Sequence, residues 1–97
     1  MILNGELPTS VASLYTVRAN SPQLEVTLLR VVNETALDAT FTLYINMNGT
    51  RRAITPISTQ LSAGSCFDDF PIFQIAQTAS IDGIASIAGV SWTINVA

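Results

Sequence analysis

Asp38-Ala39-Thr40-Phe41-Thr42-Leu43-Tyr44-Ile45-Asn46 alternates apolar with polar side chains along its length. Ala39, Phe41, Leu43 and Ile45 fall on one face of an extended chain and Thr40, Thr42, Tyr44 and Asn46 on the other, the period of a half-buried β-strand. Directly after it, Asn48-Gly49 is the dipeptide that tolerates the positive φ values of a tight hairpin turn. Thr50 to Thr55 then returns as a second strand. Residues 39–55 predict a β-hairpin, and the remainder of the chain is written in the same style.

Upstream, Leu24, Val26 and Leu28 alternate with Gln23, Glu25 and Thr27. The pattern thickens into Leu28-Leu29-Arg30-Val31-Val32, as expected of a central strand covered on both sides. Arg30 interrupts that run; it either projects to a rim or pairs with a carboxylate such as Glu25 or Asp38. Ser13 to Val17 reads as a strand ended by an Ala19-Asn20-Ser21-Pro22 turn. Downstream, Val90, Trp92, Ile94 and Val96 alternate with Ser91, Thr93 and Asn95, a closing strand expected in the middle of a sheet. Short strands at Ser65–Phe70, Pro71–Phe73 and Thr78–Ile81 lie between, punctuated by Ala63-Gly64, Asp82-Gly83 and Ala88-Gly89. Ile81 to Ile87 has the spacing of a helical turn, but Gly83 and Gly89 favour short strands.

Short strands separated by turn signals roughly every ten residues predict an all-β fold, a single antiparallel β-sandwich or jelly-roll-like domain. Its expected limits are residues 10–97. Residues 1–9, with Pro8 and little periodicity, read as an extended N-terminal arm whose Ile2, Leu3 and Leu7 would lie against a partner.

Composition narrows the function. The 97 residues are 48% hydrophobic and only 11% charged, against about 25% in an ordinary domain. The surface must therefore be built from Ser, Thr, Asn, Gln, Ala and backbone, which is cheap to desolvate and suited to lasting protein contact. Lys and His are absent, and the four basic residues, Arg18, Arg30, Arg51 and Arg52, stand in a chain of net charge -3. They form no basic stripe for a phosphate backbone, so nucleic acid is not an expected partner. No run approaches the ~18 apolar residues of a spanning helix, and no membrane partner is expected. Met1-Ile2-Leu3-Asn4-Gly5-Glu6 lacks the basic start and apolar stretch of a signal peptide, so the chain is expected to be made in a cytoplasm.

Catalytic chemistry finds little to work with. Without His or Lys the candidates are seven carboxylates, two tyrosines and Cys66. Asp68-Asp69 is the one carboxylate pair, and neighbours on a strand point to opposite faces. Cys66, the single cysteine, reads as a small buried hydrophobe. No enzyme activity, cofactor or metal is expected. Asn33-Glu34-Thr35 and Asn48-Gly49-Thr50 match glycosylation sequons but read as turns. Tyr15, Tyr44 and Trp92 are the residues a carbohydrate platform would use, although aromatics alternating along strands more often pack in a core or interface.

Gly5-Glu6-Leu7-Pro8-Thr9-Ser10, leading to Leu14-Tyr15-Thr16-Val17-Arg18-Ala19-Asn20, resembles the start of small virion structural proteins of tailed bacteriophages, commonly G-x-L-P followed by L-Y-T-V-P-A-N. Leu29-Arg30-Val31-Val32-Asn33-Glu34-Thr35 is similar to their strand ending in V-x-N-T, and Ala39 to Ile45 with its hairpin follows in the same order. Leu61-Ser62-Ala63-Gly64 and Ile75-Ala76-Gln77-Thr78-Ala79-Ser80-Ile81 resemble their L-x-A-G and L-x-A-G-D-x-I stretches. Gln77-Thr78 replaces the usual Gly-Asp, and Arg18 stands where proline is common. The resemblance implies a β-sandwich assembled on a virion, often as a homotrimer, in contact with a major capsid protein or other virion proteins. Capsid decoration or cement is the first expectation; a tail, baseplate or fibre component and a carbohydrate- or receptor-binding module are the alternatives. Protein contacts are expected at Ile2, Leu3, Leu7, Tyr44, Arg51 and Arg52.

Overall fold

A computed structural model describes residues 1–20 and 24–96. Its ten strands are β1 (Ile2–Glu6), β2 (Ala12–Thr16), β3 (Leu24–Asn33), β4 (Ala39–Met47), β5 (Thr50–Ala53), β6 (Thr59–Leu61), β7 (Cys66–Asp69), β8 (Phe73–Ile75), β9 (Ser80–Ala85) and β10 (Val90–Val96). They build a β-sandwich of two five-stranded antiparallel sheets. The first runs β1-β10-β3-β7 with β8 also on β3; the second runs β2-β9-β4-β5 with β6 also on β4. The chain moves between sheets at six of its nine strand-to-strand connections. The turn expected at residues 19–22 falls partly outside the described residues.

The hairpin forms as its sequence predicts. Asn48 and Gly49 have φ of 53° and 82°, the consecutive positive values that match the twist of the flanking strands, and Met47 faces Thr50 across the turn. The inward row Ala39, Phe41 and Leu43 is buried, as are Val90, Trp92, Ile94 and Val96 of β10. β10 lies between β1 and β3, the central position its alternation implies.

β3 departs from the expectation of two covered faces. Val26, Leu29, Val31 and Asn33 are buried while Arg30 is exposed. The inward row changes phase because Asn95 pairs with Leu28 whereas Val96 pairs with Val26. Thr27 is thus the extra residue of a β-bulge, which switches the face of everything beyond it. Its hydroxyl accepts a hydrogen bond from Asn95 Nδ2 at 2.8 Å. The thickened run is therefore one buried row spliced to another, with the second face open.

Residues 1–9 are not a free arm. Ile2–Glu6 pairs along β10 from Asn95 to Ser91, and Leu7 is 1% exposed in the core. The physical reason is Gly5 opposite Trp92: a Cβ at Gly5 would sit 3.2 Å from the indole Nε1, so glycine makes room for the ring to lie across the edge strand. Leu7 then drops onto Gly83. Asp82-Gly83, expected as a turn, lies inside β9 instead, because Gly83 is where Leu7, Leu14 and Leu43 converge, and a Cβ would come within 2.7 Å of Leu7 Cδ2.

Candidate functional site

The outer face of the second sheet carries a buried carboxylate. Asp82 pairs with Ser13 on β2 and with Tyr44 on β4, and only 1% of it is exposed. Ser13 Oγ and Ser80 Oγ donate to Oδ1 at 3.0 and 2.7 Å. Asn46 Nδ2 and Arg51 Nε donate to Oδ2 at 3.1 and 2.6 Å. Burial pushes the Asp82 carboxyl up, but the bonds from Arg51, Ser80, Asn46 and Ser13 together outweigh it and hold the group below its ordinary range. Each donor is committed and both oxygens are filled, so the cluster pins β2, β9, β4 and β5 together and presents no free base to a substrate.

A second polar knot closes the turn after β3. Asn33, fully buried, donates from Nδ2 to the carbonyls of Leu37 and Leu61 at 2.7 and 2.9 Å. Its Oδ1 accepts from the Thr35 amide and hydroxyl. This amide is consumed by structure, as the turn reading of the sequon implies.

On the first sheet, Arg30 projects to the open face and pairs with Asp68, its cross-strand neighbour, at 2.7 Å. Its partner is neither Glu25 nor Asp38. The hydrogen bond and charge of Asp68 raise the Arg30 pKa further. Asp69, next along β7, is exposed. Cys66 is exposed too, contrary to the buried hydrophobe expected. Phe67 sets that register by turning inward to meet Phe41 edge-on at 5.3 Å, which leaves Cys66 facing out beside Val32. Among the described residues no group of His, Cys, Asp and Glu gathers to hold a metal.

The six residues expected at an interface separate. Ile2 is exposed and Leu7 is core; Leu3 is partly buried against that core. Tyr44 is half-buried beside Asp82, Arg51 is tied to Asp82, and Arg52 is exposed. Leu7 is unavailable to any partner because the sandwich itself uses its side chain. Trp92, 6% exposed, is likewise unavailable as a sugar-stacking face.

Other apolar groups occupy the surface. Phe70 and Ile72 are 71% and 81% exposed. They flank Pro71 between β7 and β8, which pair with successive stretches of β3. Proline cannot donate to the ladder, so this edge breaks there and lifts its neighbours outward. Pro71 between two large apolar residues was the sequence signal for this exposure. Leu37, Ile57 and Met47 are also exposed. The far end of the β4–β5 hairpin holds an open groove of about 500 Å³ lined by Ile45, Met47, Arg52 and Ile54. No protein-family model, curated protein or solved structure matches the chain.

Proposed function

We propose that this protein is a bacteriophage virion structural protein that acts through protein–protein contacts, as a capsid decoration or cement subunit. The observation that carries the reading is a surface poor in charge yet bearing large exposed apolar side chains, Ile2, Leu37, Ile57, Phe70 and Ile72. Such groups favour burial against protein, at roughly 1.5–3 kcal/mol for each large side chain fully covered. The resemblance of residues 5–10, 14–20, 29–35, 39–45, 61–64 and 75–81 to virion proteins supplies the setting.

The strand order adds support. With β5 and β6 taken as one interrupted strand on β4, and β7 and β8 as one on β3, eight strand positions alternate between sheets as 1-10-3-7 and 2-9-4-5. We read this order as that of two interlocked Greek keys, a jelly roll, an architecture used in viral capsid and lectin domains. The residues proposed for attachment are Ile2 from the expected set, with Leu37 and Ile57 added.

The test mixes purified protein with empty capsids of its phage and counts bound copies. Saturation at a large, regular copy number supports decoration. A handful of copies per virion with no affinity for capsids moves the protein to the tail or baseplate, and absence from virions refutes the reading.

A further inference from the structure

Two features of the surface, one an exposed tip and the other an open groove, carry opposite charges. The first is the projecting tip Phe70-Pro71-Ile72, preceded by the exposed Asp69. The second is the groove of about 500 Å³ on the β4–β5 hairpin. Ile45 faces Arg52 and Met47 faces Thr50 across that hairpin, so all four side chains lie on the face that carries Phe41 and Leu43 into the core. Toward the turn this face is no longer covered: Ile45 is only partly buried and Met47 is 43% exposed. The groove has an apolar floor and a guanidinium beside it.

Neither charge has an ionic partner among the described residues. The salt bridges among the described residues are Arg30–Asp68 and Arg51–Asp82, leaving Arg52 and Asp69 without an ionic partner. One feature is an apolar tip preceded in the chain by an anion, the other an apolar recess with a cation in its wall. A volume of this size lies within the roughly 300–1,000 Å³ of pockets that enclose groups of a few rings or branched chains.

We infer that the groove takes a second copy of this chain: Phe70 and Ile72 of one molecule seat on Ile45, Met47 and Ile54 of the next, with Asp69 against Arg52. The contact is heterologous, each molecule giving a projection and receiving one, so copies join head to tail. A single projection buries less than the ~1,200 Å² of a stable interface. Repetition of the contact around a closed assembly supplies the remainder. The inference stands on this surface geometry and does not rest on the virion reading.

Light scattering on the purified chain tests it without any capsid, so its failure and that of capsid attachment are separate results. The wild type is expected to exceed the monomer mass of 10.3 kDa as concentration rises. Phe70→Ser with Ile72→Ser removes the projection and keeps the groove; Met47→Asp damages the groove and keeps the projection. Each is expected to run as a folded monomer, with far-UV circular dichroism unchanged. Mixed together, the two keep one functional half of the contact each, so the mixture is expected to grow no further than a one-to-one pair. Arg52→Glu should weaken assembly and Asp69→Arg in the same chain should restore it, an independent route should Met47→Asp fail to fold. A wild type monomeric at every concentration, variants that keep the wild-type mass, or a mixture that grows beyond a one-to-one pair would overturn the inference.

Discussion

Asp82 shows how much of a fold can hang on one side chain. Its carboxylate collects donors from Ser13, Asn46, Ser80 and Arg51 on four different strands, and its pKa lies below its ordinary value, near 3.9 for a free aspartate. As pH falls from about 4, the unfolded chain takes up the proton first, so the stabilisation held at neutral pH is lost progressively. Asp82→Asn should therefore cost about 1–3 kcal/mol at pH 7, the range for a lost buried hydrogen bond to a charged group. Arg51 keeps access to water, its side chain being 41% exposed, which prevents a larger penalty. Urea unfolding of wild type and variant at pH 7 and pH 3 checks this: the gap should narrow in acid, and an equal gap at both values would refute the account. None of this was legible locally. Asp82-Gly83 has the composition of a turn, and only the arrival of Ser13 and Asn46 from distant strands makes it the middle of one.

The first strand carries the clearest test of an element. As an arm, residues 1–9 would be dispensable for folding; as β1 followed by a core leucine, they are not. Leu7 fills the space above Gly83, and its amide donates to the Val90 carbonyl at 2.7 Å. Leu7→Ala should destabilise the protein by about 2–5 kcal/mol, the usual cost of removing a buried leucine. A thermal or urea melt that barely moves would return the segment to the status of an arm. The sequence concealed this because an edge strand with one paired side needs little apolar periodicity, and Gly5 and Pro8 resemble loop residues until Trp92 is seen across from Gly5. Where a strand obeys one unbroken alternation, as β4 and β10 do, its inward face was readable, although Thr42 on the other face of β4 is buried and Ile45 is only partly so. In β3 the run Leu28 to Val32 hides the bulge at Thr27, since apolar residues on both sides of a phase change look the same as a strand buried on two faces.

For the whole molecule, pairing is dominated by strands far apart in the chain. β1 meets β10, with Ile2 opposite Asn95, and the Met1 amino group donates to the Val96 carbonyl at 2.7 Å. The hairpin of β4 and β5 is the local exception. Alternation identifies strands but carries no information on which distant partner each one chooses, so the fold class could be read and the strand order could not. The same non-locality sets the folding rate, because closing long loops costs entropy before any contact repays it. Trp92 is well placed to report this, since β10 joins β1 on one side and β3 on the other and the indole is buried only once both have docked. Refolding from urea should follow a single phase in the millisecond-to-second range typical of β-sandwiches. Trp92 fluorescence and far-UV circular dichroism should recover together. Fluorescence that recovers in microseconds, ahead of the backbone signal, would mean that the indole is sheltered by a local cluster and that closure of the first sheet is not what buries it.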